Sequence, residues 1–506
     1  MQANPRPEEW LGYPKGALLI IGVEFWERFS FYGMLSILVL FLTDSPTHGG
    51  FGWPAAEALV LLGAYSGAMY AFPAFGGYFA DRVLGRRRAV KLGATCMLMG
   101  QIMLASPVFL PAFLGWWHAA PLLQTLHELG VPLGRVLPSD AVNAAIVSHG
   151  AALEPRAGAA WLKQAYTAAT LGFCLAIFCL VLGNALMKST LVVLCGETMS
   201  TDDPRREGAY AYYYLGISVG AMLSGVAVGT AAQAFGWHIG FAVAAAGMSV
   251  ALASYLLLAP RWLGTIGLRP DGPAPVGDPV AAAATHSGSE ARRRIGLLFV
   301  LAILLCTFSV GWFQLFGSWL LFIERDVNRA IGSFVIPVPW FTSINAAVVI
   351  VLAPFVAAFW VRVGTRNQRV DIVQKYTFAL AMVTIGHLLM YLAARDAAPN
   401  APTSVWIPLA SLSLLGVGEI VAWTATYGMV SRAAPAGFAS VAMGAWYLMT
   451  LGLGGYLSGF TGGLLESKGF AGAFGTVAAI MGAACVIALL LRGPLLRLAA
   501  RAGVSL

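Results

Sequence analysis

Glu24, Glu27 and Arg28 lie inside the largely apolar run 16–42. On a helix they and Phe31 are spaced i, i+3, i+4, i+7, so all four share one face. Tyr32 follows one turn after Arg28. Lys188, His387 and Glu419 also sit inside apolar runs. At bilayer depth a lipid-facing charge costs about 3 kcal/mol or more, so such residues must face a bundle interior or a watery cavity. Their chemistry is narrow. Arg28 can grip a carboxylate with its fork, and Lys188 adds a point charge. Glu419 can receive an ammonium. Glu24 and Glu27 are two acids beside one arginine, which leaves a carboxylate suited to taking up a proton. Blander roles exist for each: a helix-locking ion pair for Glu24 and Arg28, snorkelling for Lys188, a structural partner for Glu419, and core packing rather than proton relay for His387.

The elements that carry these residues follow from composition. Of 506 residues, 58% are hydrophobic and only 11% charged, with a mean hydropathy of +0.75. Soluble domains carry about 25% charged residues, so the expectation is an all-α integral membrane protein in a lipid bilayer. A spanning helix needs about 20 mostly apolar residues. Twelve stretches qualify: 16–42, 58–80, 89–114, 167–196, 208–234, 239–259, 295–323, 337–361, 371–394, 405–431, 438–463 and 471–494. Pro107 and Pro354 are expected kink sites. The polar start and the length of the first run argue for a retained first span, not a cleaved signal.

Lys and Arg fix the expected orientation. With the N-terminus inside, 22 of the 31 fall in cytoplasmic segments and 7 in external loops, while Arg28 and Lys188 lie within spans. Both termini are therefore expected in the cytoplasm, as in a bacterial inner membrane protein. The net charge of +8 follows from this topology and implies no nucleic acid. The Pro/Gly/Ala/Ser-rich piece 260–294 reads as a cytoplasmic linker between six-helix bundles at 1–259 and 295–506. Residues 115–165 read as a long external loop; His118, His127 and His149 there lack ligand spacing. The six cysteines show no metal-ligand pattern and are expected to pack as small hydrophobes. No catalytic signature, metal site or cofactor motif is found.

One motif narrows the class. "GGYFADRVLGRRRA", residues 76–89, sets a glycine pair, then Asp81-Arg82, then a basic cluster at a tight turn. It resembles the loop 2–3 signature of the major facilitator superfamily, transporters of twelve helices in two pseudo-symmetric halves with substrate at the midplane. Within that superfamily, Glu24-x-x-Glu27-Arg28-Phe29-x-Phe31-Tyr32-Gly33 matches six of seven fixed positions of E-x-x-E-R-F-x-Y-Y-G, the first-helix signature of the proton-dependent oligopeptide transporters. The resemblance runs on in order. The second-helix stretch carries Tyr65. "GNALMKSTLVVLCGE" carries the fourth-helix Lys188. "YAYYYLGISVG" resembles the fifth, with Ser218 in place of its asparagine. Asn345, Glu419 and Trp446 match the eighth, tenth and eleventh helices.

The resemblance implies proton-coupled import of di- and tripeptides by alternating access, driven by the proton gradient without a cofactor, in a monomer. Glu24, Glu27, Arg28 and Lys188 would couple the proton. Arg28, Tyr32, Tyr65, Lys188, Ser218, Gln314, Asn345, Glu419 and Trp446 would meet the peptide, and Asp81 and Arg82 would belong to the gating loop. Opposite charges in opposite halves would suit a zwitterion. Two departures stand out. The seventh-helix stretch has no acid, and Gln314 most nearly takes that place. Leu35 stands where the family often has an arginine. Losing both avoids a lone buried charge. A same-fold transporter of amino acids, drugs or another small zwitterion or anion remains the alternative, with a polytopic membrane enzyme the more remote one.

Overall fold

The computed structural model describes residues 9–44, 49–105, 155–200, 203, 205–270, 288–365, 370–397, 402–433 and 439–504. Helices dominate, because inside a bilayer each backbone N–H must find its carbonyl within the same segment. The helices are α1 (Lys15–Thr43), α2 (Ala55–Ala71, continued by Pro73–Phe79 and a π-helical turn Ala80–Leu84), α3 (Arg86–Ala105), α4 (Pro155–Glu197), α5 (Arg206–Phe235) and α6 (Trp237–Trp262). Then come α7 (Gly288–Phe313, a 3-10 turn Gln314–Phe316, and Ser318–Asp326), α8 (Trp340–Thr365), α9 (Ile372–Asp396) and α10 (Trp406–Ala433). The last are α11 (Ala439–Tyr447, a π-helical turn Leu448–Gly452, and Leu453–Ser458) and α12 (Thr461–Arg501). Each of the twelve expected stretches has a helical counterpart. Nine helices among the described residues are long and apolar enough to cross a membrane.

Some boundaries differ from expectation. Helix α4 starts at Pro155, so the last residues of the expected 115–165 loop are helical; the loop up to 154 lies outside the described residues. Helix α7 starts at Gly288, inside the expected linker, of which 271–287 lie outside the described residues. The described breaks fall elsewhere than at the expected prolines. Helix α8 runs through Pro354, whereas α12 bends at Gly469, with φ of 67°, and α7 breaks at Gly317. Pro107 lies outside the described residues.

Contacts divide the chain into two compact units. The first comprises residues 1–61, 86–268 and 337–343; the second comprises 62–85, 269–336 and 344–506. In the first, α3 and α4 meet through paired glycines. A Cβ at Gly93 would stand 2.7 Å from the Gly183 carbonyl oxygen, and a Cβ at Gly183 would stand 2.5 Å from that of Gly93. Membrane helices gain little from the hydrophobic effect, so small residues that admit close backbone approach hold them together. Two arginines fasten the neighbouring ends. Arg86 pairs with Glu197, Arg87 donates to the Gly264 carbonyl at 2.6 Å, and the Arg87 N–H donates to the Gly267 carbonyl at 2.9 Å. A two-stranded hairpin, β1 (Glu9–Trp10) with β2 (Tyr13–Pro14), is held by Arg205, which donates to Glu9 Oε1 at 3.0 Å and to the Gly12 carbonyl at 2.9 Å.

In the second unit α7 and α11 touch where a Cβ at Gly454 would stand 2.6 Å from Ser309 Cβ. Helix α9 starts on a capping box. Asp371 accepts from the Gln374 N–H at 2.9 Å, Gln374 Oε1 accepts from the Asp371 N–H at 3.2 Å, and Arg492 of α12 donates to the other Asp371 oxygen at 2.8 Å. Such a box satisfies two otherwise orphaned donors at once. Arg294 of α7 donates to the Ala502 carbonyl at 3.0 Å and so caps the end of α12.

Candidate functional site

In the first unit, α1 turns its charged face inward. Glu27 is completely buried, and Glu24 and Arg28 are 2% exposed. Arg28 Nε stands 3.0 Å from Glu24 Oε1 and 2.5 Å from Glu27 Oε2. The guanidinium also donates to Asn184 Oδ1 of α4 at 3.4 Å and lies 5.2 Å from the centre of the Phe31 ring. Lys188, one turn beyond Asn184, interacts electrostatically with Arg28, Glu27 and Glu24. Tyr213 of α5 reaches Glu24 by a side-chain hydrogen bond. The cluster thus contains two acids and two bases. Burying it is affordable because each charge meets an opposite one. A group that joins Arg28 at Nε must displace a glutamate, and any proton on a glutamate loosens its hold on Arg28.

The second unit builds a different site. Glu419 of α10 accepts at a single oxygen, Oε2, from Trp312 Nε1 of α7 at 2.8 Å and from Asn345 Nδ2 of α8 at 3.0 Å. No Lys or Arg pairs with it among the described residues. Trp446 of α11 is buried and its indole N–H meets no acceptor among the described residues; Asn345 Oδ1 is likewise unmatched. Around Glu419 the site therefore offers a carboxylate, the Asn345 amide oxygen and the Trp312 ring to an incoming cation.

Gln314 does not join that site. It is buried in the 3-10 turn of α7, and all four of its hydrogen-bonding positions are used. Its amide N donates to the Val310 carbonyl at 3.1 Å and the Ser458 carbonyl at 3.2 Å. Its oxygen accepts from Ser318 Oγ at 2.7 Å and Thr461 Oγ at 3.1 Å. The break in α7 thus occupies the whole amide of Gln314.

The remaining expected residues fall as follows. Tyr32 and Ser218 are half-buried in the first unit, and Ser218 Oγ donates to its own helix at the Tyr214 carbonyl, 3.2 Å away. Tyr65 is buried in the second unit. Asp81 and Arg82 lie in the π-helical turn that ends α2, just before Gly85, whose φ is 78°. Leu35 is buried. Three participants lie outside the expected set. Asn184 is signalled by its place one turn before Lys188 in "GNALMKS". Trp312 is an indole donor two residues before Gln314. Tyr213 is one of three consecutive tyrosines, and only the helix phase selects it.

The solved structure of peptide transporter POT in complex with sulfate superposes with a TM-score of 0.79 at 21% identity, covering 97% of each chain. The fold is that of the major facilitator superfamily. The chain is 24% identical to Peptide transporter YePEPT of Yersinia enterocolitica, over 92% of this chain and 90% of that protein. It is 25% identical to Dipeptide and tripeptide permease A of Cronobacter turicensis, over 89% and 85%. The model of the POT family matches residues 87–271 and 275–477, and the chain belongs to the POT family.

Proposed function

We propose that the protein imports di- and tripeptides together with protons, by alternating access. One observation carries the reading: Glu419 is a half-buried carboxylate held, among the described residues, by neutral donors alone, while Arg28 is held by two carboxylates. The first arrangement asks for a ligand cation. The second yields a cation for a ligand carboxylate once a glutamate takes a proton. A peptide supplies both ends as one zwitterion, with Tyr32, Tyr65, Asn345 and Trp446 as further contacts. Glu24, Glu27, Arg28 and Lys188 couple the proton. Asp81 and Arg82 serve the gating turn, and Ser218 borders the carboxylate end.

The same reading places a monomer in the bacterial inner membrane with both termini cytoplasmic, as the Lys/Arg asymmetry supports. The two halves are 1–259 and 295–506. No cofactor is required, since the proton gradient supplies the drive. In proteoliposomes with an imposed pH gradient, a labelled dipeptide should accumulate and unlabelled di- and tripeptides should compete. Competition by single amino acids instead would favour the same-fold alternative. Failure of any zwitterion to compete would overturn the reading.

A further inference from the structure

His387 of α9 and Trp319 of α7 are both fully buried in the second unit. Their rings lie 4.9 Å apart, inclined at 54°. His387 Nδ1 is 3.0 Å from the Val383 carbonyl. A carbonyl only accepts, so Nδ1 carries the proton and, in the neutral ring, Nε2 keeps a lone pair. That lone pair has no donor among the described residues, and the Trp319 indole N–H has no acceptor. The two unmatched groups are thus neighbours of opposite sense. The indole does not serve the imidazole directly: at this inclination both atoms lack a partner among the described residues. Leaving a buried donor or acceptor bare is unfavourable.

We propose that one buried water molecule bridges Trp319 and His387. It accepts from the indole Nε1–H and donates to His387 Nε2, which is the one arrangement that satisfies both. Two glycines border the rings, and Val383 Cγ1 and Met481 Sδ pack beside the first, 2.7 and 3.2 Å from where its Cβ would be. A Cβ at Gly311 would stand 3.4 Å from His387 Cε1, and one at Gly386 would stand 3.6 Å from Trp319 Cη2. The second point is also 3.3 Å from the Ser411 carbonyl oxygen, so a backbone acceptor borders the benzo edge of the indole. Buried waters typically make two to four hydrogen bonds. Trp319 follows the break at Gly317. The water therefore ties the far piece of α7 to α9 by a contact that re-forms easily when the break bends. It also gives His387 a fixed neutral tautomer in this state.

Thermal unfolding of Trp319→Phe, His387→Phe and the double variant tests this, because the two cases differ in sign. With a bridging water, each single variant strips it of a partner and lowers Tm, and the double variant loses less than the sum of the singles. With bare groups, His387→Phe removes a penalty and raises Tm, while Trp319→Phe loses buried indole volume in either case and is read only within the cycle. A rise, or simple additivity, overturns the proposal. Nitrogen-15 NMR of the unsubstituted protein in lipid needs no variant to be stable. It should show a neutral His387 ring protonated at Nδ1 and proton transfer from water to the Trp319 indole. A doubly protonated ring, or an indole with no water contact, overturns it.

Discussion

Arg28 and Glu27 stand 2.5 Å apart, nitrogen to oxygen, with the Glu27 side chain wholly inside the protein. Glu24 holds the same guanidinium nitrogen from the preceding turn. Two carboxylates on one donor is more than stability needs, and the excess carboxylate is where a proton can be exchanged. Glu24→Gln and Glu27→Gln should each abolish peptide accumulation against a gradient while leaving peptide-for-peptide exchange measurable. If both variants still accumulate peptide under an imposed pH gradient, the coupling role is wrong.

Removing the cation is a different experiment. Arg28→Met leaves two buried carboxylates facing each other, with Lys188 their remaining basic neighbour. Breaking a buried pair from one side costs about 3–5 kcal/mol. We expect a marked drop in Tm in detergent, together with loss of peptide binding. A variant as stable as the parent would mean that the glutamates are held by something other than Arg28.

Glu419→Gln should spare the fold, because Trp312 and Asn345 can still donate to an amide oxygen. It should weaken binding of a free dipeptide by about tenfold or more, since charge-assisted bonds contribute about 1.5–3 kcal/mol. An N-acetylated dipeptide, which brings no cation, should bind both forms alike. Equal losses for the two ligands would detach Glu419 from the ammonium.

How far these sites could be read from the chain depends on distance along it. Glu24, Glu27 and Arg28 share a face by helical spacing alone, so their meeting was legible. Lys188 and Glu419 were conspicuous as charges in apolar runs. Tyr213 was not legible, because Tyr212, Tyr213 and Tyr214 are equivalent until the phase of α5 is set by packing. The partners of Gln314 were not legible either, because two of them, Ser458 and Thr461, lie 144 and 147 residues away. No local pattern could show that its amide was already spoken for. The helix breaks went unread for a related reason: proline is the obvious local signal, and Gly317 and Gly469 act only through tertiary fit.

Gln314→Glu tests that saturated amide. The substitution keeps the shape but removes the donors that meet the Val310 and Ser458 carbonyls. A cost of about 1–3 kcal/mol is expected, read as a lower Tm, with Gln314→Asn unable to restore it because it falls short of both helices. Unchanged stability would show that the break in α7 does not depend on this residue.

Gly183→Ala should be poorly tolerated, because the new methyl would stand 2.4 Å from Met97 Cγ and 2.5 Å from the Gly93 carbonyl oxygen. Overpacking of this kind costs about 1–3 kcal/mol. Gly22→Ala, where nothing lies within 4 Å, is the matched control. The pair should separate clearly in a thermal-shift measurement.

Outside the membrane segments, hydrogen bonds from the Arg205 side chain and backbone N–H hold the Asp203 carboxyl below its ordinary value. A depressed acid contributes stability above its unfolded value, about 3.9, and loses it as pH falls through the lower folded one. The β1–β2 hairpin, pinned by the same Arg205, should therefore keep its hydrogen-exchange protection from neutral pH down to about pH 4 and lose it below. Loss already near pH 6 would show that another group holds it.

The contrast between Arg205 and Arg28 has a practical consequence. The Arg205–Glu9 pair is 41% and 47% exposed, whereas the Arg28 pairs are at most 3% exposed. Dissolved ions screen the first and cannot reach the second. Ionic strength is thus a selective tool on this protein. Raising the salt concentration should slacken the hairpin and leave the buried charge cluster, and the proton chemistry it supports, untouched.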